Sequence, residues 1–200
     1  MEASSIRRAS LPVLPLALVA VALLGACRKT EEPQARKPQG VPPSILLVTL
    51  DTTRADAIGP EAVGLKTPAF DALAGRGRRF RQAYATTPET LPSHASMMTG
   101  LYAAGHGVHE NGRPLSSAHP VLAERLRQAG YETAAFVSAF ALARRFGLAR
   151  GFDVYDDVLP ARGVERTARE TTDRALAHLR KGPGVPLLLW VHYYDPHAPY

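Results

Sequence analysis

Two short apolar runs restrict this chain more than any other feature. Ser44 to Leu50 reads SILLVTL, bounded by Pro43 and Asp51, and Pro186 to Tyr194 reads PLLLWVHYY, ending at Asp195. Both are far too short to cross a bilayer, and both are nearly continuous rather than alternating. Runs of this kind suit strands buried on both faces, as in parallel sheets covered by helices. A third candidate strand runs from Thr133 to Val137. Helical spacing fills the gaps. Thr67-Pro68 reads as an N-cap followed by a first helical position, with Phe70, Leu73 and Ala74 behind it. His119-Pro120 opens a second helix with Val121, Leu122, Leu126 and Ala129 on one face and Gly130 at its end. Val164, Ala168, Ala175, Leu176 and Leu179 mark a third, longer one. The expected fold class is α/β, a mostly parallel sheet flanked by helices. Ligands of such sheets bind beyond the carboxyl ends of the strands.

The first 43 residues do not belong to that body. Arg7 and Arg8 precede an apolar run from Leu11 to Leu24, which ends Leu24-Gly25-Ala26-Cys27. A charged start and a short apolar core make a signal peptide over residues 1–26. The ending resembles a bacterial lipobox, which implies cleavage before Cys27, the chain's single cysteine, and its lipidation. An ordinary secretory signal cleaved after Ala26 is the alternative. Residues 27–43 then form the lipidated Cys and a Pro-rich tether with mixed charges and little to bury. The expected location is the bacterial cell envelope, anchored to a membrane and facing the periplasm or exterior. One cysteine excludes an internal disulfide framework and a Cys-based zinc cluster. The 24 Lys and Arg against 18 Asp and Glu leave a net +6, scattered without a block, so no nucleic-acid partner is expected.

Three segments carry polar residues where chemistry is expected. Asp51 closes the first run, and a carboxylate there is costly unless paired or holding a cation. Thr90 opens TLPSHASMMTG, a short helix with Pro92 in its first turn and Gly100 as its stop. The electropositive helix end would favour an anionic oxygen at Thr90. Asp195-Pro196-His197 follows the last run. Read from the residues alone, each has a plain alternative: a turn residue for Asp51, a simple cap for Thr90, and a surface histidine for His197. Ser93 and Ser96 are rival hydroxyls that helical geometry points away from the terminus. His106 and His109 read as loop residues.

The segments SILLVTLDTTRADAIG, TLPSHASMMTGLYAAGHG, the Gly130–Asp157 stretch and WVHYYDPHAPY occur in one order that resembles the sulfatases of the alkaline phosphatase superfamily. The resemblance covers residues 44–200 and implies the N-terminal part of a sulfatase-like hydrolase domain. It implies that Asp51 ligates a divalent cation, either Ca, Zn or Mn, with Thr90 beside it and Asp195 a further candidate ligand. It also implies that Thr90 stands where family members carry the formylglycine precursor, and that His94 stands in place of a family Arg. Thr is not a formylglycine precursor, so Thr90 itself is the expected nucleophile, as in the superfamily's threonine-nucleophile branch. His94 and His197 would steady the ester oxygens. The Lys and His that family members carry after the second strand are absent from Val137-Ser138-Ala139-Phe140. Family members continue further and supply later metal ligands, so the chain is expected to be a fragment or a truncated relative, with an exposed apolar sheet edge. The expected function is metal-dependent hydrolysis of a small anionic sulfate, phosphate or phosphonate ester. The alternative is a catalytically inactive, sulfatase-like lipoprotein serving as a binding scaffold. The particular ester and the oligomeric state stay open.

Overall fold

The computed structural model describes residues 40–198 apart from Glu61, Val63 and Arg162. The expected signal peptide, Cys27 and most of the tether lie outside the described residues.

Four strands form one parallel sheet: β1 (Ile45–Leu50), β2 (Glu132–Phe136), β3 (Val154–Asp156) and β4 (Leu187–Tyr193), in the order β1-β4-β2-β3. The mostly parallel α/β class expected from the sequence is the observed one. Helices are α1 (Pro68–Arg76), α2 (Thr90–Thr99), α3 (Ala103–His106), α4 (Leu122–Gln128) and α5 (Ala168–Leu179).

β4 lies in the middle of the sheet, and its residues Leu187 to His192 are all buried. Its side chains alternate between two cores, as period-two geometry demands. Leu187, Leu189 and Val191 join Ala134, Phe136 and Ala175 on the α5 face. Trp190 joins Leu91, Ala95, Val137, Leu142 and Tyr155 on the α2 face. Helices on both faces explain why this run reads as continuously apolar.

β1 corrects one expectation. It has the same apolar character, yet Ile45, Leu46, Val48 and Leu50 are exposed. β1 is the outermost described strand and pairs only with β4. Leu47 still packs on the α2-side core, and Thr49 Oγ1 accepts a 3.0 Å bond from Trp190 Nε1. The expected exposed apolar edge is therefore present, and it is β1 itself. β3 was not anticipated as a strand. Its three residues are too few for a periodic signal.

Helix ends follow local chemistry. α4 begins two residues after Pro120, because Val121 stays extended while Glu124 Oε2 accepts its N–H at 2.9 Å. It ends in a Schellman turn: Tyr131 N–H bonds to Leu126 O, Gly130 N–H bonds to Arg127 O, and Gly130 holds φ +88°. α5 starts at Ala168 rather than Val164, capped by Thr167 and Glu170 in a reciprocal capping box.

Arg166 is the largest buried charge. It is 2% exposed. Its guanidinium bonds to Asp156 Oδ1 at 2.7 Å, Val137 O at 2.8 Å and Thr171 Oγ1 at 3.1 Å. One side chain thereby ties the end of β2, the end of β3 and the first turn of α5 together. Parallel pairing puts all four carboxyl ends on one side of the sheet. The loops held there are the ones that build the site.

Candidate active site

Asp51 follows β1 directly, and its N–H bonds to Tyr193 O at 2.9 Å. The next residue, Thr52, has φ +45°. A β-branched residue in the left-handed region is a strained outlier, and such outliers concentrate at functional sites. Its hydroxyl bonds to Pro196 O at 3.2 Å, joining the loops after β1 and β4.

α2 delivers Thr90 to this carboxylate. Thr90 is the first helical residue, after an extended Glu89. Pro92 sits where the helix needs no N–H donor. Gly100 ends the helix at φ +74°, with its N–H on Ser96 O. The start is held from outside the helix. Asn111 Oδ1 accepts Leu91 N–H at 2.8 Å, and Glu89 Oε2 accepts Asn111 N–H at 2.6 Å. The Thr90 hydroxyl then donates to Asp51 Oδ2 at 3.1 Å, with Oδ1 at 3.4 Å. The two residues expected to face each other do so.

Asp51 is 6% exposed. Burial works to raise its pKa, but the His192 imidazole beside it, the Thr90 hydroxyl bond and the nearby His94 hold it below the usual carboxylate value. The carboxyl is therefore an anion at neutral pH and a weak base. His192 Nε2 lies 3.4 Å from Asp51 Oδ2, outside hydrogen-bond geometry. His192 lies on β4, next to the strand's last residue. It is fully buried, but it faces Asp51, with Ser138 Oγ 3.3 Å from its Nδ1.

His94 stands in the cavity wall beside Thr90. It is 5% exposed, tilted 34° to the Trp190 ring at 5.6 Å and edge-on to His192. Its Nδ1 lies 2.7 Å from Thr90 O, an acceptor, so Nδ1 carries the proton. Burial first, then His192, pushes its pKa down to about 4. At neutral pH its Nε2 presents a lone pair, which suits a cation or a proton donor and repels an anionic ester oxygen. Steadying an anionic ester oxygen, the role the resemblance implies, would require the protonated imidazole. The shift also has a stability consequence. The unfolded chain protonates His94 near 6.5 while the folded chain resists until about 4, so stability falls as pH drops through that window. Chemical denaturation between pH 7 and 4.5 should show a flatter decline for His94→Gln than for the parent chain. Identical slopes would remove this contribution.

The remaining expected residues do not converge on Thr90. Asp195 is exposed, and its Oδ1 accepts Ala168 N–H at 2.9 Å, capping α5 rather than joining Asp51. His197 stacks on Tyr194 with centroids 4.5 Å apart and bonds to its hydroxyl and to Ala198 O. Ser96 points away as expected, bonding to His106 Nε2 at 2.9 Å. His106 in turn accepts Val108 N–H and is 2% exposed, which makes it a buried structural group rather than a loose loop residue. Ser93, expected to point away, lines the same cavity as Thr90. Glu165 was not foreseen. It accepts Phe140 N–H at 2.7 Å, and burial pushes its pKa up, with His192, Asp51 and His197 as electrostatic neighbours.

The cavity at this point measures about 310 Å³ and includes Asp51, Thr52, Thr87, Thr90, Ser93 and His94 in its wall. Among the described residues, the buried side-chain polar atoms without a partner are Thr87 Oγ1, His94 Nε2 and His192 Nε2. Thr87 and His94 line this cavity, and His192 touches Asp51. Buried polar atoms are ordinarily satisfied, so this concentration marks a place built for a ligand. Two carboxylate oxygens, a hydroxyl and imidazole lone pairs make a donor set that fits a divalent cation. Among the described residues no three His, Cys, Asp or Glu side chains converge closely enough to hold one by themselves. They fit as one face of a metal site.

Residues 43–200 match the family model described as Sulfatase. The chain belongs to the sulfatase family. The ulvan-active sulfatase of Formosa agariphila is 32% identical over 123 residues, 61% of this chain and 24% of that protein. The multifunctional alkaline phosphatase superfamily protein PehA of Trinickia caryophylli is 38% identical over 98 residues, 46% of this chain and 19% of its own. The phosphonate monoester hydrolase of Silicibacter pomeroyi superposes with a TM-score of 0.65 at 25% identity, over 79% of this chain and 42% of that one. The corresponding enzyme of Agrobacterium radiobacter gives 0.62 at 24% identity, with the same coverage, and shows the shared fold alone. This sulfatase-family chain spans a quarter or less of the length of those two curated relatives.

Proposed function

We propose that the protein carrying this chain hydrolyses sulfate, phosphate or phosphonate esters, with Thr90 as nucleophile in place of formylglycine. The observation that carries the reading is the Thr90 hydroxyl bonded to the buried Asp51 carboxylate at the start of α2. Relatives described as an ulvan-active sulfatase and a choline-sulfatase, and a neighbour described as a phosphonate monoester hydrolase, support an oxyanion ester as substrate.

Asp51 orients the hydroxyl, and the first turn of α2 supplies positive potential where the oxygen gains charge. Thr90 Oγ attacks sulfur or phosphorus as its proton passes to solvent, and the bond to the ester oxygen breaks, that oxygen leaving with the bonding pair and taking a proton from solvent to become the alcohol. Water then attacks the same atom, its bond to Thr90 Oγ breaks, and a proton from the water restores the hydroxyl. Asp51 cannot complete the activation alone, because its lowered pKa makes it a poor acceptor for a hydroxyl proton. A divalent cation, held on this side by Asp51 and Thr90, would supply the Lewis acidity that lowers the hydroxyl's pKa. Turnover of aryl sulfates, phosphate diesters and phosphonate esters by the full-length protein should stop with a chelator and return with Ca, Zn or Mn. Turnover indifferent to the chelator sinks the metal role, and absent turnover with all three ester classes favours the scaffold alternative.

The Leu24-Gly25-Ala26-Cys27 string supports a lipid-anchored protein of the bacterial envelope. Labelled palmitate should enter the parent protein and not Cys27→Ser. Equal labelling would exclude this anchor.

A further inference from the structure

Nothing in the proposed hydrolysis uses His192, although it is fully buried against Asp51. Alternation along β4 turns Trp190 and His192 to the same side, where both rings meet His94. The surrounding bonds fix the tautomer of His192. Ser138 Oγ carries a single proton, which it donates to His192 O at 2.8 Å. Tyr194 N–H donates to the same Oγ at 2.8 Å. The remaining contact, His192 Nδ1 at 3.3 Å, therefore needs the proton on Nδ1. That leaves a lone pair on Nε2, 3.4 Å from Asp51 Oδ2. A buried lone pair beside a buried carboxylate is costly unless something positive stands between them. A shared proton would draw the two atoms to about 2.7–2.9 Å. Two atoms each about 2.1 Å from one tetrahedral ion stand roughly 3.4 Å apart. The spacing matches a shared metal and is too long for a shared proton.

We propose that His192 is a metal ligand through Nε2, sharing one ion with Asp51, and that this makes the site one for zinc or a similar late transition ion rather than calcium. The inference takes its cation from the ester-hydrolase reading and deepens that reading by naming a new ligand and the class of the ion. Imidazole nitrogen suits zinc and its neighbours, whereas calcium takes about six to eight oxygens. With His192 fully buried, water has no access to replace that nitrogen on its side of the ion. A metal-bound imidazole is ordinarily oriented by a hydrogen bond from its other ring nitrogen. Ser138 accepts such a bond from His192. His94 repeats the arrangement, with Nδ1 bonded to Thr90 O and a buried Nε2 that has no partner among the described residues. Its ring centroid is 5.0 Å from that of His192, and it lines the Thr90 cavity, so a second nitrogen stands close to the same ion.

The test uses the full-length protein, stripped with a chelator and titrated separately with Zn and Ca by calorimetry. Zn should bind about 100-fold or more tightly than Ca. One equivalent of Cu(II), displaceable by Zn, reports the donor atoms by pulsed EPR and should show coupling to imidazole nitrogen. His192→Asn deletes Nε2 and keeps an amide N–H for Ser138, so it is the variant least disturbing to the fold. It should lose about tenfold or more in Zn affinity and show one coupled imidazole fewer than the parent. Turnover of an aryl sulfate and a phosphate diester is measured in parallel. A parent protein without nitrogen coupling, or one that binds Ca more tightly than Zn, overturns the ligand assignment whether or not the variant folds. A folded variant with unchanged Zn affinity and coupling does the same. If esters are still hydrolysed in those cases, the ester-hydrolase reading stands. A protein that hydrolyses no ester, yet binds Zn with a nitrogen coupling that His192→Asn removes, overturns that reading and upholds the ligand.

Discussion

Thr90→Ala should reduce kcat/KM of the full-length protein by about 10⁴-fold or more, the scale seen when a covalent nucleophile is removed. That corresponds to at least about 5 kcal/mol of lost transition-state stabilisation. Among the described residues the Thr90 hydroxyl bonds only to Asp51, so the fold should survive the change. Leu91 N–H keeps its Asn111 partner and Ser93 N–H keeps Glu89 O, so the helix start should survive too. Thr90→Ser preserves the oxygen and should retain measurable turnover, with a covalent intermediate trappable on the serine. Steady-state kinetics with an aryl sulfate and a phosphate diester would check both variants. If the alanine variant works within tenfold of the parent, the nucleophile is elsewhere, and Ser93, which lines the same cavity, becomes the next hydroxyl to test.

Arg166→Ala should carry the largest stability loss among single polar substitutions, about 3–5 kcal/mol by chemical denaturation. The cost comes less from the ion pair itself than from what deletion strands. Asp156 loses its shortest partner, although Arg174 still reaches it at 3.1 Å. Val137 O and Thr171 Oγ1 lose donors inside the protein. Asp156 also sets a pH signature. Burial raises its pKa, but Arg166 and Arg174 outweigh burial and hold it below 3.8. Its contribution is therefore complete above the ordinary carboxylate range and is lost as pH falls through the lowered value. In Arg166→Ala this acid-limb loss should shrink. A stability change under about 1 kcal/mol would show that the cluster is replaceable. Because Arg166 holds Val137 and the loop that places Ser138 against His192, the variant should also reduce activity in proportion to the loosened site.

Local pattern carried much of this molecule. Apolar runs of strand length, Pro at helix starts and Gly130 at a helix end mark elements that the structure contains, to within a few residues. Asp51 and Thr90 were legible because each stands at an element end, where backbone geometry aims side chains outward from the sheet. Asn111 was not legible as the partner of Leu91, since a side chain in an irregular loop has no periodic signal. Arg166 likewise looked like any other basic residue, because burial is a property of what folds around it. His94 could be named from the sequence, but not its protonation, and the position of His192 beside it was not legible. Their buried, partnerless Nε2 atoms lie where His94 of α2 meets His192 of β4, with ring centroids 5.0 Å apart.

What the amino-acid order determined by itself is therefore the inventory: a parallel α/β body, its strand ends, and a hydroxyl and a carboxylate placed to do chemistry. Tertiary structure decided the neighbours. It set β4 beside β1, left β1 at the open edge, turned His94 into a neutral lone-pair donor, and spent Asp195 on capping α5. Periods of 2 and 3.6 residues are fixed by bond geometry within a few residues of chain. Strand order, burial and protonation depend on groups brought together from more than a hundred positions away, and no local pattern encodes them.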